Sequence, residues 1–348
     1  MKLLALSRRR ASPLARTVHS PTARIVASAA LAGGAIAAAG IAVLRERRHK
    51  PDRRKRRYRL ERGESPKQGV TRVAQGELDL TIGLLETAPN GDGAGEAVHE
   101  ARKALKRLRA LLRVSRPGLD DRRYQRENVV FRDAGRQLSD ARDAQVLVDT
   151  LDALQKRFHD ELPKGTWSRL HENLVAGADQ AQSNGPASFD GVLDVLSQAR
   201  MRVSEWPLPS QNGRAPLAEG FDRIYRKGRR ALRRAKDEPT AENLHELRKR
   251  AKDLWHSAQL LEAMCPGKMQ PLAKEAHRLS DLLGDDHDLS VLLDYAAQHA
   301  ELLDETELGL LKNVVDLRRQ ALRREGIRCA KALYRRKPKR MLRRLALA

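Results

Sequence analysis

The sequence predicts an all-α protein of two pseudo-symmetric helical bundles, related by an internal repeat and preceded by an N-terminal single transmembrane helix. Three observations predict it. Aromatic residues make up 3% of the 348 residues against a hydrophobic fraction of 41%, poor in the residue types that sandwiches and barrels use. Long stretches rich in Ala, Leu, Arg, Glu and Asp place apolar residues at steps of three and four, the period of a helix face. The same order of features also occurs twice, 145 to 146 positions apart, the mark of an internal repeat. Cys265 and Cys329 are the only cysteines, which excludes a disulfide framework or a cysteine zinc cluster and suits a reducing compartment.

The charge of +23 is uneven. Residues 1–60 carry 16 Lys/Arg against 2 Asp/Glu, residues 318–348 carry 13 against 1, and residues 61–317 are left with a net −3. An anion site in the middle must therefore be a local concentration of cations. Residues 1–24 read as a basic tail. Residues 25–44, from Ile25 to Leu44, hold no charged side chain. Twenty residues at about 1.5 Å each cross a bilayer core, so this segment is expected to anchor the chain. A signal peptide is the rival reading, with a longer apolar stretch than such peptides use. A basic linker follows over 45–62. Its ten Lys/Arg between Arg45 and Arg59 favour a cytoplasmic C-terminal side and contact with anionic lipid headgroups.

Gly63 and Pro66 open the helical region, expected over 63–325. Val70, Val73, Leu78, Leu84 and Leu85 give roughly helical spacing, and Pro89 to Gly93 breaks it. Glu96 to Ser115 is the cleanest helix, with Val98, Ala101, Leu105, Leu108 and Leu112 on one face. Arg116-Pro117-Gly118 stops it. Helices follow from about Asp120 to Gln137 and Asp140 to Asp160, closing a first bundle over 63–162. Residues 163–214 read as plainer intervening helices and a linker. A second bundle over 215–325 holds helices at Ala218–Lys236 and Ala241–Met264 and two or three more, and 326–348 reads as a basic tail.

The two best helices share an order of residues. Val98-His99-Glu100-Ala101-Arg102-Lys103-Ala104-Leu105-Lys106 matches Leu244-His245-Glu246-Leu247-Arg248-Lys249-Arg250-Ala251-Lys252. Later, Leu138 to Asp143 with Val146-Leu147 matches Leu283 to Asp288 with Val291-Leu292. On the first helix His99, Arg102, Lys103, Lys106, Arg109 and Arg113 form a cationic stripe beside the apolar one, with Arg107 nearer its flank. On the second, His245, Arg248, Lys249, Lys252 and His256 are the shorter equivalent. Like charges three or four apart destabilise a helix by about 0.2–0.5 kcal/mol per pair. Two such stripes in a near-neutral region point to an anion, and Arg and Lys suit phosphate oxygens.

These motifs, over roughly Gly63 to Arg324, resemble the CHAD family (conserved histidine α-helical domain). The resemblance implies two bundles whose basic helices face a shared channel or cleft, and non-catalytic binding of inorganic polyphosphate. It assigns binding to His99, Arg102, Lys103, Lys106, Arg107, Arg113, Arg142, His245, Arg248, Lys249 and Lys252. The second repeat departs from the pattern: Asp253 stands at the position of Arg107, Trp255 at Arg109 and His287 at Arg142.

Two other readings compete. The basic termini suit nucleic acid or general polyanion binding, expected to be the weaker partner. His287-Asp288 with His245 and His277 suggests an HD-type metal-dependent phosphohydrolase, but each repeat histidine is followed by cations that repel a metal. Asp288 reads more simply as orienting a basic helix. No cofactor is expected, for the sequence has no Walker loop or glycine-rich dinucleotide fingerprint. The location expected is the cell membrane, with the helical domain in the cytoplasm and an association with polyphosphate granules.

Overall fold

Capping fixes where the helices begin. The Ser65 hydroxyl accepts from the Gln68 backbone N–H while the Gln68 side chain accepts from Ser65 N–H, a capping box with Pro66 at the first helical position. Asp120, Thr240 and Asp304 cap later helices in the same way, through a side chain accepting from the residue three ahead. The computed structural model describes residues 58–88, 94–138, 140–183, 188–210, 215–299 and 301–345. These form α1 (Pro66–Glu86), α2 (Ala94–Ser115), α3 (Asp121–Gln137), α4 (Asp140–Phe158), α5 (Lys164–Ser183) and α6 (Asp190–Val203). After them come α7 (Ala215–Asp237), α8 (Ala241–Leu260), α9 (Pro266–Gln298), α10 (Glu305–Leu333) and α11 (Pro338–Arg344). Short 3₁₀ turns at Arg116–Gly118 and Glu262–Met264 follow α2 and α8. No strand occurs among the described residues.

At the repeat offset α1 falls on α7, α2 on α8 and the first 3₁₀ turn on the second. Next, α3 and α4 fall on the two halves of α9, α5 on α10 and α6 on α11. The first repeat breaks at Leu138, which ends α3. The second runs straight through the equivalent point as one helix of 33 residues.

The apolar cores cut across this repeat. One core takes α1, α2, α3, α6, α7, α8 and α11, with Met269 to Leu283 of α9 and Cys329 to Leu333 of α10. The other takes α4 and α5, with Leu289 to Ala296 of α9 and Leu311 to Leu322 of α10. Thus α9 and α10 are shared struts. Residues 163–214, expected to intervene between bundles, supply one helix to each core. The stretch expected as a tail is also structured: α10 continues to Leu333, and α11 buries Met341 and Leu345 at 5% and 1% exposure.

No described helix is long and apolar enough to cross a membrane. The expected span, 25–44, and the basic run after it lie outside the described residues, apart from the last few positions from Tyr58 onward.

Where α7 meets α2, a glycine sets the approach. A Cβ on Gly220 would overlap the Val114 carbonyl, so the backbones touch. Gly220→Ala is expected to destabilise the fold by about 1–3 kcal/mol, as overpacking of a rigid contact does, and to lower the urea midpoint. At Gly83 a Cβ would meet nothing within 4 Å. There alanine should stabilise by about 0.5–1 kcal/mol through helix propensity. A Gly220→Ala midpoint equal to wild type would refute the contact.

Candidate functional site

The two repeat helices pack directly against each other. Ala101, Leu105, Leu108 and Leu112 of α2, and Leu247, Ala251, Leu254 and Ala258 of α8, are each at most 1% exposed. Burying these stripes turns the cationic stripes beside them toward a common region. Lys106 of α2 comes near enough to Lys252 of α8 to act on its proton affinity. Burial, Arg248 and Lys106 together push the Lys252 ammonium down to about 8, while Asp288 and Asp281 oppose them.

Around Lys252 stand three more members of the second stripe. Arg248 lies flat over Gly284 of α9, where a Cβ would come within 2.9 Å of its Nη2. Its Nη1 is 3.9 Å from Asp288 Oδ1, and its Nε is buried with no hydrogen-bond partner among the described residues. The His245 ring lies 5.2 Å from that of His287. Its Nδ1 is likewise buried and unpartnered. Burial first, then Lys249, His287, Arg248 and Lys252, lowers the His245 pKa. Lys249 is exposed and 4.0 Å from Glu246. A buried guanidinium donor without an acceptor, among like charges, leaves a charge that an anion would compensate.

On α2, His99 and Arg102 are half-buried, and Lys103 and Lys106 are exposed. Lys103 Nζ is 2.8 Å from Glu100 Oε1. Arg142 lies in α4 with its side chain outside the described residues.

Four expected site residues have structural duties instead. Arg107 turns away from the stripe to Glu77, with Nη2 at 2.6 Å from Oε2, in a pair where Glu77 is fully buried. Its carbonyl accepts from the Tyr58 hydroxyl. Arg113 pairs with Asp253 at 3.1 Å, and Arg250 also reaches that carboxylate, at 3.0 Å. Arg109 donates from Nε to Asn128 at 3.3 Å, and burial, with Arg113 beside it, lowers its pKa. His256 stacks on Trp255 at 4.5 Å between ring centroids and meets Tyr58 edge-on. Burial, with Arg107, Lys252 and Lys106 nearby, pushes its pKa down to about 3. It is therefore a neutral packing ring at physiological pH and not a cationic donor.

Other residues belong to the region by position. His287, at the repeat position of Arg142, meets His245. Gly284 admits Arg248. Asp286, 3% exposed, accepts from Arg319 and Arg323 of α10 at 3.2 and 2.8 Å and so pins α10 to α9. A cavity of about 630 Å³ between α4, α9 and α10 touches this region through Asp288. Its lining mixes Asp149 and Asp285 with Lys156, Arg157 and Arg318, a poor match to a polyanion. The metal reading fits badly too: the His245–His287 pair sits among Arg248, Lys249 and Lys252, which repel a cation. Among the described residues no group of three or more His, Cys, Asp or Glu is placed to hold one.

Comparison with known proteins bears on this geometry. A family model described as the CHAD domain matches residues 83–297. The uncharacterized protein Rv2226 of Mycobacterium tuberculosis H37Rv is 29% identical over 253 residues, covering 68% of this chain and 46% of the relative. MT2285, of the CDC 1551 strain, gives 29% over 251 residues with the same coverage. The chain thus spans about half the length of the curated relatives it matches. Among solved structures, the CHAD domain from the plant Ricinus communis aligns with a TM-score of 0.57 at 14% identity, covering 80% of this chain and 94% of that one. PptA from Streptomyces chartreusis gives 0.53 at 16%, covering 75% and 95%. At those identities the likeness is one of fold.

The Arg107–Glu77 pair yields a stability prediction. Glu77→Ala strands a largely buried guanidinium, which costs about 3–5 kcal/mol. The double change Glu77→Ala with Arg107→Ala removes both charges and should recover part of that loss in chemical denaturation. Equal stability of the single variant and wild type would contradict a structural role.

Proposed function

The chain belongs to the CHAD family, whose known role is polyphosphate binding, and from that premise we propose that it binds inorganic polyphosphate without catalysis where α2 and α8 bring their cations together beside α9. CHAD domain proteins are generally non-catalytic binding modules. The observation that carries the reading is the approach of Lys106 to Lys252 beside Arg248, with Lys252 depressed to about 8. Two cationic helices from separate repeats are held close at an electrostatic cost. A linear chain of phosphates removes that cost and adds charge-assisted hydrogen bonds. His99, Arg102, Lys103 and Lys249 line its path, Arg248 and His245 offer their unpartnered nitrogens, and bound counterions are released as it docks.

The sign of the pH dependence follows from Lys252. In the free protein its amine is about half protonated near pH 8. A bound polyanion favours the charged form and returns the pKa toward its ordinary value. Binding at pH 8 should then take up about half a proton, and affinity should fall as pH rises from 7 to 9.5. Calorimetry with defined-length polyphosphate in two buffers of different ionisation enthalpy measures the uptake. Lys252→Gln should abolish it. Lys106→Glu with Lys252→Glu should lower affinity at least tenfold, and unchanged affinity in that variant would sink the site.

Membrane tethering is part of the same proposal. It rests on the uncharged stretch 25–44 and the basic run after it. Alkaline carbonate extraction of membranes from expressing cells should leave the chain in the pellet, and deleting 25–44 should release it. Full extraction of the intact chain would remove the tether and leave the binding reading intact.

A further inference from the structure

A second concentration of cations lies away from the cleft, on α7 and α11. The helical period puts Arg223, Arg226, Arg230, Arg233 and Arg234 on one face of α7, and all five are exposed. The opposite side of α7 buries Phe221, Ile224, Gly228 and Ala231 and packs against α8 and α2. The arginine face is thus turned away from the helices that form the cleft. It spans about 17 Å at 1.5 Å per residue.

Beside it lies α11, packed on α7. The join is hydrogen-bonded: Arg229 Nη1 and the Tyr225 hydroxyl donate to the Arg336 carbonyl at 3.0 and 3.2 Å. Lys339, Arg340, Arg343 and Arg344 of α11 are exposed, and the helix contains no acidic residue. On the α7 face only Arg226 has an ion-pair partner among the described residues, Asp222. The pairs Arg223–Arg226, Arg226–Arg230, Arg230–Arg233 and Arg230–Arg234 stand at steps of three and four. Each costs α7 about 0.2–0.5 kcal/mol.

We propose that the outer faces of α7 and α11 form a second anion surface, separate from the polyphosphate cleft, that takes the phosphate backbone of duplex nucleic acid. The surface is two helices wide, suited to the paired phosphate rows of a duplex more than to one linear chain. Its charge is mostly guanidinium, whose planar donors fit phosphodiester oxygens. The exposed large hydrophobic residues among those described, Val129, Val195, Met201, Val291, Leu310 and Leu317, all lie on other helices. Nothing on this face would enter a bilayer. Its aromatic residues, Phe221, Tyr225 and Tyr334, are buried, so no ring is offered for stacking unpaired bases. Recognition through the backbone alone carries no sequence preference.

The test uses the full chain, so that the basic N-terminal region contributes equally to every variant. Fluorescence anisotropy with a labelled 20-base-pair DNA duplex, over a range of salt, compares wild type with Arg230→Gln, Arg233→Gln, Arg340→Gln and Arg343→Gln combined. Glutamine keeps helix propensity, and a thermal melt checks the fold. The expected result is a salt slope shallower by about three to four, from about 0.9 per lost phosphate contact. Duplex affinity near physiological salt should fall at least tenfold, while polyphosphate affinity stays within twofold. Lysine at the same four positions should restore duplex binding. Unchanged duplex binding overturns the proposal. So does a parallel loss of duplex and polyphosphate binding, which would make the surface an extension of the cleft. Loss of binding to anionic phospholipid vesicles with duplex binding intact would assign the surface to membranes and overturn it equally.

Discussion

Everything about the proposed polyphosphate site depends on holding two cationic helices side by side. Lys106 and Lys252 repel, and Arg248 adds to the repulsion. The opposing force is the burial of the Leu and Ala stripes of α2 and α8. The leucines of these stripes, each at most 1% exposed, contribute about 1.5–3 kcal/mol apiece. Several carboxylates are placed on arginines outside the site. Glu77 takes Arg107, Asp253 takes Arg113 and Arg250, and Asp286 takes Arg319 and Arg323. The acids neutralise the arginines that fasten one helix to another, while the cations facing the cleft keep much of their charge.

The pseudo-symmetry is broken where this fastening requires it. At the repeat offset Glu77 falls on Arg223, and Arg107 falls on Asp253, so the signs are exchanged. In the first repeat the acid and the base pair within one repeat. In the second, Asp253 reaches across to Arg113 of the first. A strictly symmetric protein would put a base at both positions and lose that bond between repeats. The departure of the second repeat at Asp253, which from sequence alone reads as a weakened binding helix, is a clasp. Trp255 stands where the first repeat has Arg109, and it stacks on His256.

Helix positions were legible because breakers and apolar spacing are local: Pro66, Pro89 to Gly93 and Arg116-Pro117-Gly118 act within a few residues of themselves. The C-terminal helices were not. Leu322, Cys329, Leu333, Met341 and Leu345 are buried in helices that pack on α9 and α7, far away in the sequence. Leu317 faces solvent, at 60% exposure. The division of the core was hidden for a related reason. Leu283 and Leu289 belong to different cores although one unbroken helix carries both. In the site, spacing put Arg107, Arg109 and Arg113 on or beside a stripe, but it could not reveal partners 19 to 140 residues away. The counterpart of Arg142 was legible as His287, because the repeat offset points to it directly.

Total charge explains little here. Residues 61–317 carry a net −3, yet that stretch holds the whole cleft and the arginine face of α7. What differs between the two surfaces is confinement. At the proposed polyphosphate site, burial with Arg248 and Lys106 nearby pushes Lys252 down to about 8, so binding there would be coupled to protons. On α7 the arginines stand in water, where screening over about 8–10 Å weakens their mutual repulsion and leaves a response governed by salt. The two proposed surfaces are therefore separable by pH: it acts on the polyphosphate site through Lys252, and it leaves the outer face unmoved, where arginine does not titrate, while ionic strength acts on both.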